Sequence, residues 1–435
     1  MDDLYPYQQL TQDPCTSTMI SWWDVDTERA GSDYSFEYRE KDKGDYKSVS
    51  NIDKQSLAQM PDTYRYTTHI TNLRPGKVYE GNIILGEHKQ KVYFKTLPSR
   101  LWRRELTFVT LSDIHIDRQG TLSFQIMTNA TEMEQLRSYN PDALLLLGDM
   151  CTSVPGNTAS YYDPQTFVPQ FFREHLQILH DQNGEKWLVP FLWVPGNHEV
   201  AYRTPSQQPN DPVNNFMSNL MSNLITIEPI NQNYSLLSIP KILDIFVLDF
   251  FAGDIDDQQD FIAANIKNDL VVNLCCTHQP ILRGGNRAAS DNEASEIQKQ
   301  KWLPHFLKTG ISTLALSGHV HVRKVSEPIK FVSTDPGGTN KQSFDTGGFM
   351  TKASSEEHHY REFGDGYNMA RTAKSIWYLD ISESQSTALS NFGVIKISTE
   401  TITYTTQFVN SQNTETFTMN PNVVKFISSN MIQLT

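Results

Sequence analysis

Five short clusters carry the residue types that bind metal ions. They are Ser112-Asp113-Ile114-His115, Gly148-Asp149, Gly196-Asn197-His198-Glu199, Thr277-His278 and Gly318-His319-Val320-His321. Carboxylate, carboxamide and imidazole together offer a mixture of oxygen and nitrogen. That mixture suits borderline ions such as Fe, Mn or Zn, whereas Mg or Ca is surrounded mainly by oxygen. The i, i+2 spacing of Asp113 and His115, and of His319 and His321, sends both side chains to one side of an extended backbone. Seven ligands (Asp113, His115, Asp149, Asn197, His278, His319 and His321) shared by two metal ions require one bridging group. A carboxylate has an oxygen for each ion, so Asp149 is the candidate bridge. Each cluster alone has an ordinary reading: a capping pair for Asp113 and His115, a turn for Gly148-Asp149, a core histidine for His278. Their order, and their common position after a strand, is what points to chemistry.

The elements that must hold them are legible in the hydrophobic pattern. Apolar runs at 106–111, 143–147, 191–194, 271–276 and 313–316 each end just before a cluster, and a sixth run lies at 245–248. Near-continuous apolar runs suit strands covered on both faces by crossover helices. Ligands in open α/β sheets gather outside the carboxyl ends of such strands. Helical patterns fall at 122–138, 165–180 (Asp163 as cap, Pro164 at the first position), 257–266 and 295–307. Glycines 148, 196 and 318 permit close approach of backbone to a site.

On either side the pattern turns to β. Short β-branched and aromatic runs at 19–23, 34–38, 66–70, 78–84 and 91–95 are separated by Gly, Asp and Asn turn signals. Residues 96–100 read as a linker, since Pro98 cannot donate to a ladder. After His321, short strands are expected at 331–333, 375–379, 394–397 and 401–408, with 335–367 as a long loop.

The 435 residues suggest two or three domains. With 37 basic and 50 acidic side chains the net charge is −13, which disfavours nonspecific nucleic-acid binding. No apolar run reaches membrane-spanning length. The acidic start Met1-Asp2-Asp3 shows no signal peptide, which points to a cytoplasmic or virion-associated protein. Cys15, Cys151, Cys275 and Cys276 lack C-x-x-C spacing and read as free buried thiols, with 275 and 276 facing opposite sides of a strand. The apolar tail 422–435 is expected to dock on its own domain.

The motif series resembles the calcineurin-like metallophosphoesterases, whose pattern is Asp-x-His, Gly-Asp, Gly-Asn-His-Asp/Glu, His and Gly-His-x-His. The layout is similar to the purple acid phosphatases over roughly residues 10–420. Leu73-Arg74-Pro75-Gly76-Lys77-Val78-Tyr79 looks like a fibronectin type III segment, with Tyr79 as a tyrosine-corner residue and Trp22 or Trp23 as the core indole. Phe94-Lys95-Thr96-Leu97-Pro98, Gly337-Gly338 and a terminal hairpin from 392 to 417 extend the likeness. The resemblance implies an α/β chain with a fibronectin type III-like β-sandwich at 1–100. A four-layer α/β/β/α metallophosphoesterase domain follows at 101–435.

By the same resemblance, one metal takes Asp113, His115, Asp149 and His321, and the second takes Asp149, Asn197, His278 and His319. His198 contacts the phosphate and helps protonate the leaving group, while Glu199 orients a neighbour. Purple acid phosphatases place a tyrosinate ligand where Thr152 stands and usually lack the first-motif histidine that is present here as His115. A colourless binuclear centre, closer to the phosphodiesterase branch, is expected. The implied function is hydrolysis of phosphate esters, as a phosphatase or phosphodiesterase, by hydroxide that two divalent or trivalent ions activate. Tyr202, Arg203, Arg283, Arg287 and His358-His359 are candidate contacts to a small or locally presented phosphate ester. The alternatives are a non-catalytic adhesion or virion module reusing the fold, as an oligomer or virion assembly, and a nuclease of the superfamily.

Overall fold

The computed structural model describes residues 4–24, 26–29, 31–57, 60–101, 105–113, 130–149, 179–180, 186–197, 234–251, 254–267, 269–281, 289–308, 313–319, 324–325, 329–331, 350–352, 360–364, 391–408 and 414–419. Two sheets face each other around the motif strands. In the first, Leu106–Leu111, Ala143–Leu146 and Phe191–Trp193 run parallel. Asn391–Ile397, Ile402–Phe408 and Thr414–Met419 extend it as an antiparallel meander. In the second, Leu243–Leu248, Val272–Thr277, Thr313–Ser317 and Tyr360–Gly364 run parallel in sequence order.

Alternation along these strands builds the layers. Leu243, Ile245, Val247, Val272, Leu274, Cys276, Leu314 and Leu316 meet Leu106, Phe108, Leu145, Leu192, Ile395 and Tyr404 of the first sheet in one buried cluster. The intervening Phe246, Leu248, Cys275 and Ala315 pack with Ile262, Trp302, Leu303 and Phe306 of the helical layer. The adjacent cysteines therefore face opposite layers. Among the described residues the α-helices are Ala130–Ser138, Ile255–Asn265, Ala289–Lys301 and Leu303–Lys308. None is long and apolar enough to cross a membrane.

The amino-terminal strands join the same sheet. Gln9 pairs with Phe191, so Leu4–Gln9, Thr18–Asp24, Met60–Ile70 and Asp53–Leu57 prolong it to ten strands. A six-stranded sheet contains Ser35–Glu40, Lys47–Val49, Val78–Leu85 and His88–Lys95. The two sheets share an aromatic core in which Trp22 stacks on Tyr66 at 5.6 Å and on Phe36 at 6.0 Å. The Tyr79 hydroxyl accepts the Arg74 backbone N–H at 2.7 Å, which ties the turn at Pro75-Gly76 to this core.

Several sequence expectations need correction. The 335–367 segment contains the strand Tyr360–Gly364, which pairs parallel with Thr313–Ser317. Its charged Arg361 and Glu362 hid it from an apolar-run search. The helical reading of 165–180 ends in strand, since Leu179–His180 pairs with Lys186–Trp187. Leu4–Gln9, Lys47–Val49 and Asp53–Leu57 are additional strands. Residues 375–379, Gly337-Gly338, Cys151, Thr152 and the tail 422–435 lie outside the described residues.

Candidate metal centre

The five motif segments leave neighbouring strands at the same end, and three of their residues leave by a left-handed turn. Asp113, Asp149 and His319 have φ of 55°, 54° and 69°. Non-glycine residues avoid this region, which costs about 1–2 kcal/mol each, so it persists where surrounding contacts impose it. Here those contacts are backbone hydrogen bonds across strand ends. Asp113 N–H donates to Gly148 O and Gly318 N–H to His278 O, both at 3.0 Å.

Two glycines are fixed by space. A Cβ on Gly148, whose φ is +85°, would stand 2.5 Å from His278 Nδ1. One on Gly318 would stand 1.7 Å from Ser112 Oγ and 2.6 Å from Asp113 Oδ2. Asp113 is itself held from two sides. Ser112 Oγ donates to its Oδ2 at 2.6 Å, and the His319 backbone N–H reaches its two oxygens at 3.0 and 2.9 Å.

His278 is 1% exposed and Asp149 equally so. His278 Nδ1 lies 2.6 Å from the Leu147 carbonyl and donates to it. That contact sets the tautomer and turns Nε2 inward, the arrangement typical of a metal-binding histidine. Nε2 then lies 3.1 Å from Asp149 Oδ2 and 3.2 Å from Asn197 Oδ1. His319 Nδ1 lies 2.7 Å from the same Asn197 oxygen. The ligand atoms of Asp149, His278 and His319 all fall within 4.8 Å of one another.

Burial by itself lowers the pKa of His278. The charge and hydrogen bond of Asp149, the charge of Asp113 and the Leu147 carbonyl outweigh it and raise the value to about 9. The pocket thus favours positive charge. Carboxylate, carboxamide oxygen and two imidazoles converging in a buried, anionic pocket fit a divalent metal ion.

Of the residues singled out from sequence, Asp113, Asp149, Asn197, His278 and His319 come together. His115, His198, Glu199, Tyr202, Arg203, Arg283, Arg287, His321, His358 and His359 lie outside the described residues. Sequence reasoning missed Ser112, the Leu147 carbonyl and Phe251. The Phe251 ring lies 5.9 Å from that of His278 and 5.5 Å from that of His319. Phe251 follows the strand Leu243–Leu248 as the motif residues follow theirs, but its residue type carries no metal-ligand signal.

Among solved structures, the chain is similar to a Vps29 single mutant from Entamoeba histolytica. Identity is 11%, over 72% of this chain and 99% of that one, with a TM-score of 0.27. It is similar to Vacuolar Protein Sorting 29 from Cryptosporidium parvum, with 13% identity over 72% and 96% and a TM-score of 0.28. Wild-type Vps29 complexed with Zn2+ from Entamoeba histolytica gives 11%, 72%, 99% and 0.28. No curated protein matches the chain. The calcineurin-like phosphoesterase profile matches residues 106–323, the span from the strand before Asp113 to just past His321. With the profile covering half of its length and all five motif clusters, the chain belongs to the calcineurin-like phosphoesterase family.

Proposed function

We propose that the protein is a hydrolase of phosphate esters that works through a binuclear metal centre. One observation carries the reading. Asp149, Asn197, His278 and His319 bring oxygen and nitrogen donors to one buried point from four strand ends. Asp113 and Asp149 add negative charge, and the assigned bridge is Asp149. His115 and His321 complete one set of ligands with Asp113, by their place in the Asp-x-His and Gly-His-x-His motifs. When bound, the two cations supply a Lewis acid for the phosphoryl oxygens and lower the pKa of water towards neutrality.

The chain's own groups do the rest. Leu147 O holds the His278 ring so that Nε2 faces the pocket, and Ser112 together with the His319 backbone holds Asp113. His198, next to Asn197, donates a proton to the leaving oxygen, and Glu199 orients a neighbouring group. Tyr202, Arg203, Arg283 and His358 are the candidate contacts to the ester. Residues 1–100 form a fibronectin type III-like domain in this reading. The Trp22 core and the Tyr79 hydroxyl bond support that assignment. The purple acid phosphatase layout is retained, with Thr152 and His115 in place of a tyrosinate ligand.

A phosphate monoester and a diester, para-nitrophenyl phosphate and bis(para-nitrophenyl) phosphate, assayed side by side with Mn, Fe or Zn decide the matter. Turnover of either that chelation abolishes and metal restores is expected. No turnover of either by protein carrying two metal ions would leave a non-catalytic use of the fold.

A further inference from the structure

The site has a wall that none of its motifs supplies. The strand Leu243–Leu248 lies beside the strand that leads to His278, and the chain leaves it through Asp249, Phe250 and Phe251. The Phe251 ring meets both imidazoles at once, tilted 54° to that of His278 and 51° to that of His319. The two imidazoles meet each other edge to face at 5.2 Å. Three aromatic rings thus form a closed triangle in which Phe251 limits how far either histidine can turn.

Phe251 is in turn anchored to a helix. Its backbone N–H donates to Asp249 Oδ1 at 2.9 Å. The Asp249 backbone is gripped by Gln258, which accepts from its N–H at 2.8 Å and donates to its carbonyl at 2.7 Å. Gln258 and Asp249 are both wholly buried. Gln258 lies in the first turns of the helix Ile255–Asn265, which Asp254 caps by accepting from the N–H groups of Asp256 and Asp257. A run of contacts therefore connects a capped helix to both candidate ligand rings.

We propose that Phe251, latched through Asp249 and Gln258, is a positioning residue that presets the orientation of His278 and His319. The inference rests on the metal-centre reading given above, and it adds a determinant that the ligand motifs do not contain. Hydrogen bonds fix a histidine at one ring nitrogen and leave the tilt of the ring plane to packing. His278 has such a bond, donated by Nδ1 to the Leu147 carbonyl, and the Phe251 ring limits its remaining rotation. Partners that orient ligands typically govern metal affinity by about 10–100-fold.

The test compares Phe251→Leu, which keeps apolar volume without a ring face, with Phe251→Tyr, which keeps the ring. Zinc affinity is measured by chelator competition on the full chain. The His278 and His319 imidazole resonances are followed by NMR in the metal-free protein, assigned through His278→Gln and His319→Gln. Phe251→Leu is expected to weaken zinc about 10–100-fold and to move both imidazole resonances, while Phe251→Tyr stays near the parent. Gln258→Met, which removes the latch hydrogen bonds at similar volume, is expected to shift both readouts in the same direction. Unchanged affinity and unmoved resonances in Phe251→Leu would overturn the proposal, as would equal losses in Phe251→Leu and Phe251→Tyr. A parent protein that binds no zinc would count against the metal-centre reading. The metal-free resonances would still decide whether Phe251 orients the rings.

Discussion

His278 Nε2 lies 3.1 Å from Asp149 Oδ2, with both side chains buried. The pair is the electrostatic centre of the site. Asp149 supplies the charge that raises the pKa of His278 and, in the proposed function, the charge that holds cations. Asp149→Asn keeps the shape and removes that charge. Its phosphoesterase turnover is expected to fall by more than about 100-fold, beyond the usual cost of losing a partner that only orients a ligand. Steady-state kinetics under saturating metal checks this, and turnover close to the parent's would remove Asp149 from the bridging role.

Gly148 and Gly318 let strand ends approach closer than a side chain allows. Gly148→Ala forces a Cβ to within 2.5 Å of His278 Nδ1 at a φ of +85°. Overpacking and strain of this kind cost about 1–3 kcal/mol or more. The Leu147–His278 hydrogen bond should break with it. Denaturant unfolding of metal-free protein gives the first quantity and zinc titration the second. Both are expected to worsen.

Another buried charge, on the strand Val78–Leu85, adds an acid-sensitive contribution to stability. Glu80 is 1% exposed and pairs with Lys91 at 3.0 Å, with Arg39 and with the Tyr46 hydroxyl. Burial raises its pKa, but the Lys91, Arg39 and Tyr46 bonds together bring it below the usual glutamate value. A lowered folded-state pKa means that this stabilisation is complete above the unfolded value of about 4.3 and fades as pH falls through the folded one. Glu80→Gln should therefore destabilise the protein by about 2 kcal/mol at pH 7. The gap to the parent should narrow below about pH 4. Parallel denaturation at the two pH values reads the difference, and a gap that does not vary with pH contradicts the assignment.

Burial, followed by the Asp13 charge, pushes the Cys15 thiol up to about 12, and burial raises that of Cys276 as well. Thiolate is the reactive form. Neither should be alkylated by iodoacetamide in native protein at pH 8, and both should be alkylated after unfolding. Peptide mass spectrometry resolves the two positions, and native labelling of either would show that its segment opens.

How much of this was legible in the sequence depends on what each residue had to do. The strands ending at Leu111, Leu146, Trp193, Thr277 and Ser317 are covered on both faces, so their apolar runs declared them. Asp113, Asp149, Asn197, His278 and His319 were singled out because residue type and strand-end position coincide, and the fold brings them together. Tyr360–Gly364 was missed because Arg361 and Glu362 break the apolar run while the backbone still pairs through Thr313–Ser317. Asp53–Leu57 was missed because it is an edge strand with polar residues. The left-handed turns at Asp113, Asp149 and His319 follow from hydrogen bonds between strands, which no local pattern contains. Phe251 reads locally as one more apolar residue, and its role depends on two histidines 27 and 68 positions away.

Anomalous diffraction from crystals of the protein equilibrated with Mn or Zn tests the binuclear centre itself. Two peaks sharing Asp149 as a common ligand are expected. One should be bounded by Asn197, His278 and His319, and the other by Asp113, His115 and His321. No peak among these residues, or a single peak that Asp149 does not touch, would contradict that centre.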